Sequence, residues 1–108
     1  MSKYYSRKVT RCGETFDSQK EYRRFCELRL LERAGAVTDL RRQVKFELIP
    51  AQRVDGKVVE RACSYVADFV YTENGQQVVE DTKGYRTQEY RLKRKLMLWV
   101  HGIQIRET

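Results

Sequence analysis

Tyr65-Val66-Ala67-Asp68-Phe69-Val70 and, a turn further on, Val78-Val79-Glu80-Asp81-Thr82-Lys83-Gly84 are the stretches that decide how this sequence folds. In the first, one acid sits inside an otherwise apolar run. In the second, a Val-Val pair leads into an acid and a lysine two positions apart. Short runs rich in valine and aromatic residues read as strands. Side chains at i and i+2 of a strand share a face. Asp81 and Lys83 are therefore expected to project together, with Glu80 pointing the other way. Asn74-Gly75 between the runs is a two-residue hairpin signal, so Asp68 and Asp81 are expected on neighbouring strands.

Working outward, Val44, Phe46 and Leu48 alternate with Lys45 and Glu47, a strand that Pro50 ends. Asp55-Gly56 is a second hairpin signal. The segment from Val58 to Tyr71 reads as one strand, bulged near Ala62-Cys63, and Gln77 to Lys83 as the next, closed by Gly84. Three strands and two tight turns predict an antiparallel meander. Before it, Ser18 and Glu21 match a capping box, and Tyr22, Phe25, Cys26, Leu28, Leu30 and Leu31 give an apolar face, predicting a helix over 18–34 that Gly35 stops. After it, Thr87 is an N-cap for a helix to Val100, with Tyr90, Leu92, Leu96, Trp99 and Val100 on its apolar side and Gly102 as its stop. Ile103 and Ile105 then alternate with polar neighbours as a short last strand.

The order is αβββαβ. A helix bridging two strands favours a right-handed crossover and a parallel last strand. The expected fold class is α/β, a mixed sheet flanked by helices. Residues 1–12 read as a basic, mobile N-terminal arm carrying Lys3, Arg7, Lys8 and Arg11, and 13–108 as a single domain.

The chain has 108 residues, a net charge of +7 and a pI of about 9.5. That length suits one modest core. No apolar run approaches the roughly 20 residues of a membrane helix, and MSKYYSRKVT has no apolar stretch of the secretory kind. Cys12, Cys26 and Cys63 are odd in number and far apart, which fits a reduced, cytoplasmic setting better than a disulfide framework. With His101 the only histidine and no two cysteines close together, a zinc site is not expected. The positive charge favours polyanionic partners. It gathers at Lys83, Arg86, Arg91, Lys93, Arg94 and Lys95, and again at Arg41, Arg42 and Lys45. Each cluster also fits an ordinary solvated face.

Asp68 and Asp81 on adjacent strands suit a hard cation such as Mg²⁺, which takes carboxylate oxygens and keeps several waters. The backbone carbonyl of Thr82 is a further candidate ligand. Such an ion polarises a phosphate and acidifies a bound water, and Lys83 beside it is placed to orient that water or to neutralise developing charge. Glu21, on the edge of the core-facing side of the first helix, has two readings: a fourth acid of the site, or the capping partner of Ser18. Asp-x-Lys alone is a short pattern with many chance matches.

With the element order and these acids together, the sequence resembles the PD-(D/E)XK nuclease superfamily. That superfamily shares an αβββαβ, restriction-endonuclease-like core, with one metal-binding acid on its second strand and (D/E)-x-K on its third. Asp68 matches the first acid, Asp81-Thr82-Lys83 the (D/E)-x-K, and Glu21 the acid many members carry in the first helix. The match covers about residues 14–107. More narrowly, F-D-S-x-x-E from Phe16, Q-x-K-F-E-L-I-P from Gln43, Y-x-A-D-F from Tyr65 and V-V-E-D-x-K-G from Val78 resemble a small phage and prophage family with Holliday-junction resolvases among its proposed relatives. Ala67 stands where the motif's proline would be, and Asp81 where many relatives have Glu.

The resemblance implies a Mg²⁺-dependent DNA endonuclease, with Mn²⁺ able to substitute, working in the cytoplasm of a bacterial host. The chain leaves no room for a separate DNA-reading domain, so structure-selective cutting of branched DNA is expected over precise sequence readout. Two symmetric cuts in a junction imply a twofold homodimer. Arg86, Gln88, Arg91, Lys95, Arg41, Arg42 and Lys45 are the expected DNA-binding residues, and Tyr4 and Tyr5 are aromatic candidates in the arm. Two other classes remain open: an accessory nuclease subunit of a phage recombination or packaging complex, and a DNA-binding module without catalysis.

Overall fold

Ser18 takes extended backbone angles and its hydroxyl accepts the backbone N–H of Glu21, which starts the first helix where the capping box places it. The computed structural model describes residues 8–11, 13–82 and 86–108. Helix α1 runs Gln19–Arg33 and α2 Gln88–His101. Thr87 caps α2 through its side chain, which accepts from the Tyr90 N–H. Gly102 closes it at φ 68, a left-handed angle that costs glycine nothing.

Eight strands accompany them among the described residues: β1 Val9–Arg11, β2 Glu14–Phe16, β3 Thr38–Ile49, β4 Gln52–Val54, β5 Lys57–Glu60, β6 Cys63–Glu73, β7 Gln76–Asp81 and β8 Arg106–Glu107. The main sheet has the order β3-β6-β7-β8. The pairs β3–β6 and β6–β7 are antiparallel, and β7–β8 is parallel across α2. The protein is therefore mixed α/β, with the αβββαβ order running through α1, β3, β6, β7, α2 and β8. Asn74 and Gly75, both at positive φ, form the β6–β7 turn, whose twist matches that of the strands.

Four boundaries differ from the sequence expectation. The run from Val58 to Tyr71 is two strands, not one bulged strand: β5 pairs only with β4, and β6 starts afresh at Cys63. Bulge and break look alike in sequence, because both interrupt alternation without needing a glycine or proline. The β3 strand begins at Thr38, six residues before Val44, because its first half is paired to β6 although most of its side chains are exposed or half-buried. The last strand is Arg106–Glu107, after Ile103 and Ile105. Those two residues pack into the core instead. Finally, part of the expected N-terminal arm is ordered: Val9–Arg11 pairs with Glu14–Phe16.

The two helices cover opposite faces of the sheet. On one side Leu28 of α1 packs with Val37, Phe69 and Tyr71, and Phe25 stacks on Phe69. On the other, Tyr90 and Met97 of α2 pack with Leu48, Tyr65, Ala67, Val70, Val79 and Ile105. Burying a side chain such as Phe69, which is wholly covered, contributes about 1.5–3 kcal/mol. No helix among the described residues is long and apolar enough to cross a membrane.

Candidate metal centre

The faces just described change over at one place in β3 and β6. In β6, Tyr65 and Ala67 face α2, yet Phe69 and Tyr71 face α1. In β3, Val44 and Phe46 pack toward α2, whereas Leu40 joins the α1 cluster. Strict alternation cannot give both halves. Each strand needs one extra residue on the α1 side, and these are Gln43 and Asp68. They are bracketed by the register pairs Arg42↔Phe69 and Val44↔Ala67. Gln43 carries the local distortion at φ 53, an uncommon angle for a residue with a Cβ.

The changeover lifts both side chains toward the N-terminal turn of α1. Carboxylate oxygens of Asp68, Glu21 and Asp17 lie within 4.8 Å of one another there. Glu21 is buried, Asp68 half-buried and Asp17 exposed. Glu21 Oε1 accepts the Asp17 backbone N–H at 2.7 Å, and its Oε2 accepts the Gln43 amide at 2.9 Å. The same amide lies 3.5 Å from Asp68 Oδ1. Asp68 Oδ2 accepts both the backbone N–H and the hydroxyl of Thr82, each at 2.9 Å. Asp68 is thereby clamped to the end of β7. Burial and the charges of Asp68 and Asp17 push the Glu21 carboxyl above its ordinary range, outweighing the Asp17 N–H and Arg42. Ser18 and Glu21 do form their cap, but through the Ser18 hydroxyl; the carboxylate of Glu21 turns inward. The capping and site readings of this residue are compatible.

Asp81 is held by a different set of partners. Its neighbour Glu80 is opposite Phe69 and so shares the α1 face. Asp81 points to the α2 side, where the Tyr65 hydroxyl donates to its Oδ2 at 2.5 Å, and is fully buried. Burial first, and then the Asp81 charge, raise the Tyr65 hydroxyl far above its usual value. Asp81 is not one of the three clustered acids, but it is the next residue in register opposite Asp68, after the pair Phe69↔Glu80, and Asp68 Oδ2 is bonded to its neighbour Thr82. Lys83, the other half of the motif, lies outside the described residues, as do Tyr4 and Tyr5. Thr82 contributes its N–H and hydroxyl, both to Asp68.

Glu80, expected to face away, is a buried anchor. It accepts a two-pronged contact from Arg24 of α1 at 2.6 and 3.0 Å, the Tyr71 hydroxyl at 2.6 Å and the Thr108 hydroxyl at 3.2 Å. These bonds tie α1 to the sheet beneath the acid cluster.

The expected DNA-binding residues divide. Gln88, Arg91, Lys95 and Lys45 are exposed. Arg41 is exposed and pairs with Asp39 at 3.5 Å. Arg86 is exposed but bound to Glu107 at 2.9 Å. Glu107 also accepts from Tyr90 and Arg94, and its carboxyl is held down to about 2, chiefly by the Arg86 hydrogen bond. Arg42 is mostly covered: it pairs with Glu14 at 2.9 Å and Glu21 at 3.5 Å, and lies 3.9 Å from the centre of the Phe16 ring. These contacts set it beside Glu21. Sequence reasoning passed over Asp17, Gln43 and Arg24. Asp17 and Gln43 carried a usable signal, since they lie in the motifs F-D-S-x-x-E and Q-x-K-F-E-L-I-P; Arg24 carried none.

As a donor set, three carboxylates supply hard oxygens of the kind Mg²⁺ or Mn²⁺ takes. Clustered acids also repel one another unless a cation offsets them, so the donor chemistry of these residues fits a divalent ion. Neither a curated protein nor a solved structure matches the chain. A family model does, over residues 1–106, and the chain belongs to that family, described as "Protein of unknown function (DUF1064)".

Proposed function

We propose that the protein is a divalent-cation-dependent DNA endonuclease that hydrolyses phosphodiester bonds, with branched DNA as its preferred substrate. The observation that carries this reading is the convergence of Asp68 and Glu21, two acids chosen from sequence, on one point of an αβββαβ sheet. Asp17 completes the set. A cation held there would supply the charge that polarises a phosphate and acidifies a water. The chain's own part is to hold those oxygens in place: Thr82 clamps Asp68, Arg42 and Gln43 orient Glu21, and Arg24 through Glu80 fixes α1. Lys83 is the proposed partner of the water or the developing charge, and the net charge of +7 favours the polyanion. The reading includes a homodimer on a junction, a phage recombination partner, and a cytoplasmic location, to which the thiols Cys26 and Cys63 are suited.

The test is to incubate the protein with labelled four-way junction, flap, duplex and single-stranded DNA in Mg²⁺, Mn²⁺ or EDTA, beside Asp68→Ala. Metal-dependent cleavage that the variant loses is the expected result. Paired symmetric cuts in the junction alone would define a resolvase. DNA bound and never cut, with either metal, would remove the nuclease reading.

A further inference from the structure

Between β3 and β6 the chain leaves the sheet as a separate two-stranded ribbon, β4–β5. It belongs to no larger sheet, and every residue from Gln52 to Glu60 is exposed. An isolated hairpin is marginally stable in water at best. This one also carries Val54, Val58 and Val59 uncovered, at 58%, 46% and 54% exposure. Its register places Arg53 opposite Val58 and Val54 opposite Lys57. Cross-strand partners share a face, so each face presents one cation beside one valine. Arg53 donates one N–H to the Gly56 carbonyl at the tip, which leaves most of its guanidinium donors outward. Arg61 follows at the root.

We propose that this ribbon is the DNA-gripping arm of the protein, lying in the major groove of a duplex that runs along β3 and β6 to the acid cluster. The inference rests on the DNA reading above and says which surface holds the substrate. A two-stranded ribbon is one of the two elements the major groove admits. Cations beside valines match its phosphate walls and the thymine methyls and sugars within. A second copy of this chain is the poorer occupant, since identical faces would set Arg53 and Lys57 against their like. The root of the ribbon at Cys63 is five residues along β6 from Asp68, roughly 17 Å at strand rise.

The experiment measures binding of the full chain to a 30-base-pair duplex by fluorescence anisotropy in EDTA, at several salt concentrations. It compares wild type, Arg53→Glu with Lys57→Glu, Arg53→Ala with Lys57→Ala, and Asp68→Asn. The ribbon variants are expected to bind at least about 10-fold more weakly, with the slope of log K against log salt smaller by about two. Their melting temperatures should not move, because the changed side chains touch no core. In EDTA the Asp68→Asn variant should bind the duplex, and in a parallel assay with Mg²⁺ it should lose cleavage, so failure of the acid site and failure of the arm show in different readouts. Unchanged affinity and slope in both ribbon variants would overturn the proposal. So would conversion of a dimer to a monomer with DNA affinity intact, which would assign the ribbon to a second copy. A labelled four-way junction is measured beside the duplex: wild type that binds the junction but not the duplex would overturn the arm alone, and wild type that binds neither would overturn the DNA reading.

Discussion

Gln43 and Asp68 sit side by side where β3 and β6 both change the face they present, and the Gln43 amide bridges from Glu21 Oε2 at 2.9 Å toward Asp68 Oδ1 at 3.5 Å. A neutral donor thus separates two acids that would otherwise repel. It does so from a backbone angle of φ 53 that most side chains avoid. Backbone distortions of this kind gather at sites that bind or react.

Replacing Gln43 with Leu should leave Glu21 without its amide donor. Stability in EDTA at neutral pH is expected to fall by about 1–3 kcal/mol, and added Mg²⁺ should recover part of it. Urea denaturation with and without the ion checks both. No change in either condition would mean that the amide is idle.

The raised pKa of Glu21 has a signed consequence. In the folded state the group holds its proton above its ordinary 4.5, so between that value and its folded pKa the native state binds more protons than the unfolded one. Its favourable contribution is complete below about pH 4.5 and is lost as pH rises through the folded pKa. Glu107 acts oppositely: its stabilisation is present above 4.5 and lost as pH falls toward about 2. The difference between wild type and Glu21→Gln isolates the first effect. In EDTA, wild type should lose stability relative to the variant as pH rises from 4.5, and Mg²⁺ should abolish that loss. A flat difference across pH would refute the assignment.

Half-buried Arg24 and fully buried Glu80 form a pair across 56 residues of chain. Arg24→Ala would leave a fully buried carboxylate without its principal partner, and should destabilise by about 3–5 kcal/mol. Replacing both with methionine should cost much less, because no charge is then stranded. Chemical denaturation of the two variants provides the comparison. Equal losses would show that packing, not charge, dominates.

Asp68 and Asp81 should separate cleanly by phenotype. Asp68→Asn is expected to lose at least 10-fold in Mn²⁺ affinity by titration calorimetry. Asp81→Asn, which disturbs the bond from Tyr65, should instead cost about 1–3 kcal/mol of stability and keep most of the affinity. A variant at Asp81 that stays fully stable yet no longer binds Mn²⁺ would place Asp81 among the ligands.

Local chemistry made much of this protein legible in its sequence. The Ser18 cap, the Asn74-Gly75 turn, the Gly102 stop and the parallel last strand follow from hydrogen bonds and φ preferences within a few residues, or from the short helical crossover between two strands. The choice of Asp68 and Glu21 also came from sequence, because an acid on an apolar face is conspicuous wherever it stands. Tertiary structure decided the rest. Whether 58–71 is one strand or two depends on which neighbour β5 finds, and that neighbour is β4 alone. That Asp68 shares a face with Glu21 and Asp17 depends on one extra residue in each of two strands. A single such step turns the next side chain to the other face of the sheet, and only the packing of α1 and α2 on those faces fixes where it falls.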